Sequence, residues 1–158
     1  MTTLGAILLP SNPPGRLPDL ARAADEAGLE QLWLWEDCFL SGGIAAAAAA
    51  LASTTRLQVA IGILPVPFRN VALGKEHELV VFVPAATGPG AAERLAEQQN
   101  RYGMEDPGVA GDAKAVASGL ERWIEAGATN VVLQPTTDDP DPEGFFRFVA
   151  QEVRPLLS

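Results

Sequence analysis

Two adjacent acids, Glu36 and Asp37, have the side chains in this sequence best suited to chemistry. They follow an apolar run, Gln31 to Trp35, that is typical of a buried strand. Adjacent side chains at a strand end can diverge, one into a site and the other toward its support. A carboxylate placed there can act as a general base or hold the polar edge of a ring. The alternatives are an acid in a solvated loop and a cap for the helix that begins near Ile44.

A second candidate is the turn from Thr87 to Gly90, which joins a predicted strand to a predicted helix. Its glycines, Gly88 and Gly90, would let the backbone approach a ligand, and the N-terminus of the following helix favours phosphate. The segment matches neither a Walker loop nor the GxGxxG fingerprint. An ordinary turn therefore remains the alternative.

The elements that must position these residues form an α/β pattern. Nearly continuous apolar runs are typical of parallel strands covered on both faces, and five occur: Leu4 to Leu9, Gln31 to Trp35, Leu57 to Leu64, Leu79 to Val83 and Asn130 to Leu133. Helical patterns alternate with them: Pro18 to Gly28, Ile44 to Leu51, Ala91 to Arg101, Asp112 to Gly127 and Glu143 to Val153. The stretch from Pro65 to Glu78 lacks an amphipathic pattern and is expected to be a linker or junction.

The carboxyl ends of the strands are where α/β folds place their active sites. This edge therefore receives further residues that could hold a ligand. They are Ser11 after the first strand, Gly62 and Ile63 in the third, and Gln134 at the end of the fifth.

Composition limits the class of protein and of partner. The chain has 158 residues, a net charge of −9 and a pI near 4.5. These values indicate one domain and argue against nucleic acid or an anionic membrane as partner. The length also excludes a complete (β/α)8 barrel, which takes about 250 residues.

The cysteine and histidine content, and the absence of a long apolar run, exclude other classes of protein and of metal site. One cysteine, Cys38, and one histidine, His77, exclude an intrachain disulfide framework and a multi-thiolate or multi-histidine metal site. We expect a buried, inert thiol and a surface histidine. No run approaches the roughly 18 apolar residues of a membrane helix. No secretory signal is visible at the N-terminus, so a cytoplasmic protein is expected.

Several segments taken together resemble the bacterial luciferase-like superfamily of flavin- or deazaflavin-dependent oxidoreductases. They are Leu4 to Pro10, Ala23 to Leu29, Leu32 to Asp37, Ala60 to Asn70, Val109 to Asp112, Glu125 to Ala128 and Val131 to Pro135. The resemblance covers two blocks, roughly Thr3 to Leu73 and His77 to Leu157. We interpret the chain as a single domain, residues 1–158, made of an N-terminal block (1–73), a junction (74–78) and a C-terminal block (79–158).

The resemblance implies a partial (β/α) barrel of the TIM type, with about five parallel strands. The two blocks resemble strands one to three and strands seven and eight of the family barrel, and strands four to six, about 100 residues of a full barrel, have no counterpart. The expected strand order is three-two-one-eight-seven, with helices mainly on one face. The other face would be apolar, so a homo-oligomer that covers it is expected.

The resemblance also implies an activity. It is that of a flavin- or deazaflavin-dependent oxidoreductase or monooxygenase acting on a small organic substrate, with FMN or the 8-hydroxy-5-deazaflavin coenzyme. In relatives the second strand often ends in an acid followed by histidine. Here Glu36 matches the acid and Asp37 stands in the place of the histidine, so these two are the catalytic candidates.

The remaining site candidates are expected to hold the cofactor. Gly62 and Ile63 match the position at which many members of the family carry a non-prolyl cis peptide against the ring. The others lie at strand ends: Ser11, Thr87, Gly88, Gly90 and Gln134. Two alternatives stay open, a non-catalytic binding or assembly protein and an inactive truncated remnant of such an enzyme.

Overall fold

The computed structural model describes residues 2–35, 42–62, 80–103 and 108–157. They form an α/β fold in which one sheet has the order β3-β2-β1-β6-β4-β5, and every neighbouring pair is parallel. The strands are β1 (Thr3–Leu8), β2 (Gln31–Trp35), β3 (Gln58–Gly62), β4 (Val80–Ala86), β5 (Val109–Ala110) and β6 (Asn130–Pro135). The helices are α1 (Leu17–Ala27), α2 (Gly43–Ser53), α3 (Ala91–Tyr102), α4 (Ala113–Glu125) and α5 (Pro142–Arg147).

Short helical turns extend two of these elements. A 3-10 turn, Pro14–Arg16, leads into α1. A π-helical turn, Phe148–Val153, and a 3-10 turn, Arg154–Leu156, continue α5. No helix within the described ranges is both long and apolar enough to cross a membrane.

The α/β prediction is confirmed, and the five predicted strands lie in the expected order, but a sixth strand, β5, extends the sheet beside β4. β4 and β6 lie beside β1, on the side away from β2 and β3. Two helix boundaries follow directly from the sequence. Gly28 ends α1 with a left-handed φ of 85°, and the Asp112 side chain caps α4 by accepting a 2.9 Å hydrogen bond from the Ala115 N–H.

The main core lies between one face of the sheet and four helices. Alternation along a strand sends every second side chain to this face. The strand residues that pack there are Leu4, Ala6, Leu8, Leu32, Leu34, Val83, Val131 and Leu133. They meet residues of α1, α2, α4 and α5, namely Leu20, Ala24, Ala50, Val116, Leu120, Phe145 and Phe146.

Helix α3 is the exception to the expected placement of helices on one face. Its Ala91 and Leu95 pack with Ala86 and Ala110, whereas the preceding strand residues, Ala85 and Val109, belong to the main core. Because successive strand residues point to opposite faces, α3 covers the opposite face. The handedness of the connections explains the position of α3. The connection from β4 to β5 moves toward the edge of the sheet, and the connection from β5 to β6 moves back toward its centre. Because both are right-handed, their helices lie on opposite faces.

The face opposite the main core is strongly curved, and we call it the concave face. Ile7, Leu9 and Val132 are buried on it. A Cβ atom on Gly62 in β3 would lie 3.4 Å from Cζ of Phe82 in β4. In a flat sheet these strands, four positions apart, would be about 19 Å from each other. A phenylalanine side chain reaches only about 6 Å from its Cα. The sheet therefore curls around this face.

A polar cluster closes the concave face at the amino ends of the strands. The Gln31 side-chain oxygen accepts hydrogen bonds from the Trp33 indole N–H (3.0 Å) and from the Asn130 amide (3.2 Å). The Gln31 amide donates to the Gln58 side chain (3.3 Å). These bonds satisfy the buried Asn130 and fix the Trp33 ring, which meets Phe82 edge-on.

Candidate functional site

The loops that follow β1 and β6 enclose a cavity of about 230 Å³ at the carboxyl edge of the sheet. The loops are neighbours because β1 pairs with β6, Ala6 opposite Leu133. We call this space the β1–β6 cavity. It is lined by Ile7, Leu8, Leu9, Ser11, Asn12, Pro13, Pro135, Thr136, Thr137, Asp139 and Pro142. One side is thus apolar, and the other carries hydroxyl, amide and carboxyl groups.

Within the described part of the chain, Thr136 is a polar residue of this cavity whose buried side chain lacks a hydrogen-bond partner. The residue is 0% exposed, and its hydroxyl is buried with no hydrogen-bond partner among the described residues. Buried polar side chains in native proteins are nearly always paired. An unpaired hydroxyl costs about 1–3 kcal/mol. Because the hydroxyl oxygen is fully buried, a molecule in the cavity would not contact it, and the unpaired group is a local cost of this loop.

Asp139 is the titratable group of the cavity. Its N–H donates to the Thr136 carbonyl (3.0 Å), and its carboxylate accepts from the Asp141 N–H (2.9 Å). Burial raises the pKa of this carboxyl, although the bond from Asp141 and the charge of Arg94 act in the opposite direction. The charges of Asp138 and Asp141 add to the increase. A carboxyl with a raised pKa can hold or donate a proton closer to neutral pH.

A second cavity, of about 250 Å³, lies on the other side of the β1 loop, against α2. The described residues of its walls are apolar apart from Asn12, and they include Leu34, Trp35 and the alanines Ala45, Ala46 and Ala49. The small side chains of the alanine run leave this space beside the sheet. Trp35 is the last described residue before Glu36 and Asp37.

The turn from Thr87 to Gly90 is held by hydrogen bonds from Arg94, a residue of the helix that follows it, α3. Gly88 and Gly90 have positive φ values of 77° and 70°. The Arg94 guanidinium donates to the Thr87 carbonyl (2.6 Å) and to the Pro89 carbonyl. The space beside Arg94 is about 10 Å³, room for about one water molecule. Within the described chain this favours a structural turn, and cofactor binding by Thr87, Gly88 and Gly90 remains a prediction.

The other predicted site residues are distributed along the same edge. Ser11 lies in the β1–β6 cavity. Gln134 is half-buried on β6 opposite Pro84, and its side chain makes no hydrogen bond with the described residues. Gly62 ends β3 against Phe82 and Trp33.

Several predicted residues belong to other segments of the chain. Glu36, Asp37 and Ile63 lie outside the described residues, as do Cys38 and His77. The peptide bond after Gly62 is outside them too, and the described residues contain no cis peptide.

Sequence reasoning selected Gln134 at the end of β6 and did not select Thr136 or Asp139 as site residues. The available signal was the polar run Thr136-Thr137-Asp138-Asp139 directly after an apolar strand. What this run could not reveal is that the Thr136 hydroxyl is buried without a partner, because burial there depends on the neighbouring β1 loop.

Comparison with known proteins connects the N-terminal part of the chain to a family. Residues 1–77 match the family model of the luciferase-like monooxygenases. The resemblance inferred from the sequence is confirmed over these residues. The C-terminal block lies almost entirely beyond the match, so its resemblance stays a prediction. No curated protein matches the chain in sequence.

Three solved structures resemble the chain weakly. A probable methyltransferase from Bordetella pertussis Tohama I is 16% identical, with a TM-score of 0.46, over 99% of this chain and 95% of that one. A probable methylase family protein from Haemophilus influenzae Rd KW20 is 16% identical, with a TM-score of 0.36, over 98% and 64%. TrmJ from Z. mobilis ZM4 is 18% identical, with a TM-score of 0.33, over 98% and 70%.

Proposed function

Because residues 1–77 match the luciferase-like monooxygenase family, we propose that this chain is a flavin- or deazaflavin-dependent oxidoreductase acting on a small organic substrate. The family match is the observation that carries the proposal. The proposed cofactor is FMN or the 8-hydroxy-5-deazaflavin coenzyme, and the proposed compartment is the cytoplasm. A single cysteine in 158 residues is compatible with a reducing environment.

The fold that we propose for this activity is a partial (β/α) barrel. Two observations support it. The sheet order β3-β2-β1-β6-β4 is the order in which strands three, two, one, eight and seven of a barrel would neighbour one another. The contact between Phe82 and Gly62 requires strong curvature of the sheet. In this proposal the part of the concave face formed by β3, β2, β1 and β6 corresponds to a barrel interior, and its carboxyl edge holds the cofactor ring. Helix α3 covers the part beside β4 and β5.

The residues at this edge fit a flat, largely apolar ring with polar edges. Ile7, Leu9 and Val132 form a buried apolar cluster, so the surface offered to the ring is that of the half-buried Trp35, which packs against this cluster. The Gln134 side chain, which makes no hydrogen bond with the described residues, can bond to a ring edge. The bound ring would supply hydride or electron transfer.

The phosphate tail of such a cofactor is a poorer fit. No lysine or arginine is among the described residues that line the two larger cavities. Phosphate sites usually provide such cations or a free helix N-terminus. The proposal therefore assigns the ring, rather than the tail, to this edge.

The roles of the remaining site residues follow from their chemistry. Gln134 would orient the ring through its amide, and Ser11 would donate a hydrogen bond from the β1 loop. Glu36 and Asp37 would hold and move a proton beside the ring. Without them, the same edge would act as the non-catalytic binding module that remains the second candidate.

A homo-oligomer is the proposed assembly. Faces of parallel sheets are normally covered. Phe82, on the concave face, is 37% exposed, which is high for a phenylalanine in a sheet. A second copy of the chain packed on this face would cover it.

A binding titration tests the proposed function. The purified chain is titrated with FMN and with the deazaflavin coenzyme, each oxidised and reduced, while ligand fluorescence is followed and circular dichroism verifies folding. We expect saturable binding with a micromolar Kd, and a weaker affinity for Gln134→Ala. The matched control is Gln151→Ala, an exposed glutamine on the helical side. A folded chain with no binding at roughly 100 µM would reject the proposal.

A further inference from the structure

Helix α2 presents an apolar surface to solvent on the main-core side of the sheet. Ile44 is 48% exposed and Leu51 is 55% exposed, and they are two of the five large apolar side chains that the described part of the chain exposes. Three alanines, Ala45, Ala48 and Ala52, are exposed as well. At helical spacing these five residues lie on one side of the helix. We call this surface the α2 face.

The composition of α2 differs from that of an ordinary surface helix. Such a helix carries charged or polar residues on its outer side. No charged residue occurs from Cys38 to Thr55, although the whole chain has a net charge of −9. The hydroxyls of Ser53 and Thr54, at the C-terminal end of α2, donate to the Ala50 carbonyl (2.9 and 3.0 Å). A helix that is apolar on all sides is normally buried on all sides, so the α2 face requires a cover.

We propose that a second copy of this chain covers the α2 face, with the two α2 helices antiparallel and a two-fold axis opposite Ala48. Residues at equal distances before and after Ala48 then face each other. Ile44 meets the partner's Ala52, and Leu51 meets the partner's Ala45. Each large side chain is thus opposite a small one, and Ala48 meets its own counterpart. The face is self-complementary, as a two-fold interface requires.

The small residue at the axis permits close packing of the two helices. Axes of packed helices lie about 8–10 Å apart, and small side chains at the contact favour the lower value. The 11 residues of α2 make a helix about 16 Å long. One pair of such helices buries less than the roughly 800 Å² per partner of a standard interface. The expected dissociation constant is therefore micromolar.

Charge also favours the α2 face as a contact between copies. Two copies that each carry −9 repel one another, and most surfaces would bring like charges together. Contact through the α2 face desolvates no charged side chain of α2. The α2 face lies on the opposite side of the sheet from the concave face, because Ala46, Ala47 and Ala50 pack into the main core. This interface is thus separate from the concave-face contact proposed above, and it does not depend on the proposed activity.

A charge on the α2 face tests the interface. Leu51→Lys would place an ammonium group against the partner's Ala45, where it loses water without gaining a counter-ion. Sedimentation equilibrium should show self-association at least about tenfold weaker than in the wild type. The control is Leu156→Lys, since Leu156 is 48% exposed but lies in the C-terminal turn. Phe82→Lys, on the concave face, should retain the contact.

Two outcomes of these measurements would overturn the inference. One is a Phe82→Lys variant that is folded and monomeric. The other is a Leu51→Lys variant whose self-association is unchanged. If the Tm of that variant is also lowered, residues of the same chain cover the α2 face.

A larger side chain at the axis separates a fitted interface from a surface that is only apolar. Ala48→Leu adds bulk at the same point of both copies and would push the helices apart. We expect association to weaken by about fivefold or more, although the variant is more apolar. Stronger association would show non-specific adhesion and overturn the inference.

Cysteine crosslinking tests the antiparallel orientation. Cys38→Ser removes the natural thiol. In that background Ala48→Cys should form an intermolecular disulfide on oxidation, because the two copies of residue 48 meet at the axis. Ala45→Cys should not, since antiparallel helices hold the two copies of residue 45 about 9 Å apart along the helix axis. Any other pattern of crosslinking would overturn the inference.

Discussion

Phe82 of β4 lies over Gly62 of β3, with its Cζ atom 3.4 Å from the position that a Cβ on Gly62 would take. Three other strands, β2, β1 and β6, separate these two strands in the sheet. Trp33 meets the Phe82 ring edge-on, with 5.2 Å between the ring centroids and 87° between the planes. The contact thus joins both sides of the concave face, and a Cβ on residue 62 would already be in van der Waals contact with both rings, so a larger side chain would have no room.

A larger side chain at residue 62 should destabilise the fold. Gly62→Val would bring methyl groups against Phe82 and Trp33, and overpacking of this kind costs about 1–3 kcal/mol. Urea unfolding measures the effect. Gly15→Val is the control, because nothing lies within 4 Å of its Cβ position. In the double variant with Phe82→Ala, part of the loss should be recovered. Full additivity of the two changes would show that the contact has no energetic role.

The oligomer proposal predicts that a charge at Phe82 dissociates the assembly. Phe82→Lys would place an ammonium group in the proposed interface, where burying an unpaired charge is costly. Sedimentation velocity should show an oligomer for the wild type and a smaller species for the variant. Leu156→Lys is the control, since Leu156 is also exposed (48%) but lies in the C-terminal turn. A monomeric wild type would contradict the proposal.

The lowered pKa of Asp25 predicts that the folded protein loses stability in acid. It is 8% exposed and accepts hydrogen bonds from the Thr55 N–H (2.7 Å), the Thr55 hydroxyl (3.1 Å) and the Arg56 N–H (3.3 Å). Burial alone would raise its pKa, but these bonds and the charge of Arg56 outweigh burial and hold the pKa below the ordinary 3.8. Its stabilising contribution is therefore present above the unfolded-state pKa and is lost as pH falls through the lower, folded-state pKa.

Replacement of Asp25 measures this contribution. Asp25→Asn should lower the free energy of unfolding by about 1–3 kcal/mol at neutral pH. The difference from the wild type should shrink as the pH falls below 3.8. Asp19→Asn, an exposed acid of the same helix, is the control. A deficit that stays constant with pH would mean that the carboxylate charge is not responsible.

The raised pKa of Asp139 predicts a contribution to folding stability with the opposite pH dependence. Burial raises its folded-state pKa above 3.8. Its favourable contribution, made by the protonated form, is complete below 3.8 and is lost as pH rises through the folded-state value. Asp139→Asn keeps an oxygen for the Asp141 N–H and removes the charge. It should be more stable than the wild type near neutral pH and lose that advantage at about pH 3. Urea unfolding of the variant and the wild type at both pH values measures this difference in stability. An equal gain in stability at both pH values would contradict the raised pKa of Asp139.

Local signals explain what the sequence could predict of the fold. Gly28 ends α1, Asp112 caps α4, and one apolar run sets the bounds of β2. Each of these signals lies within a short segment, so the sequence predicted all three features. β5 has two residues, too short for a pattern. The face on which α3 lies follows from the direction of two crossovers, which no local segment encodes.

The candidate site was predicted in part for the same reason. Strand ends locate Ser11, Gln134 and Gly62 at one edge, because parallel strands finish together. The contact of Gly62 with Phe82 and the unpaired hydroxyl of Thr136 depend on curvature and on neighbouring loops. Residues distant in sequence create both features.

The location of the ring is the most direct test of the account. Lumiflavin, which has the ring and no phosphate, is titrated into the ¹⁵N-labelled chain, and shifted resonances are mapped by NMR. The account predicts saturable shifts at the carboxyl edge, at Ser11, Gly62 and Gln134. Shifts confined to the amino-end cluster of Gln31 and Gln58, or a folded chain with no shifts, would contradict it.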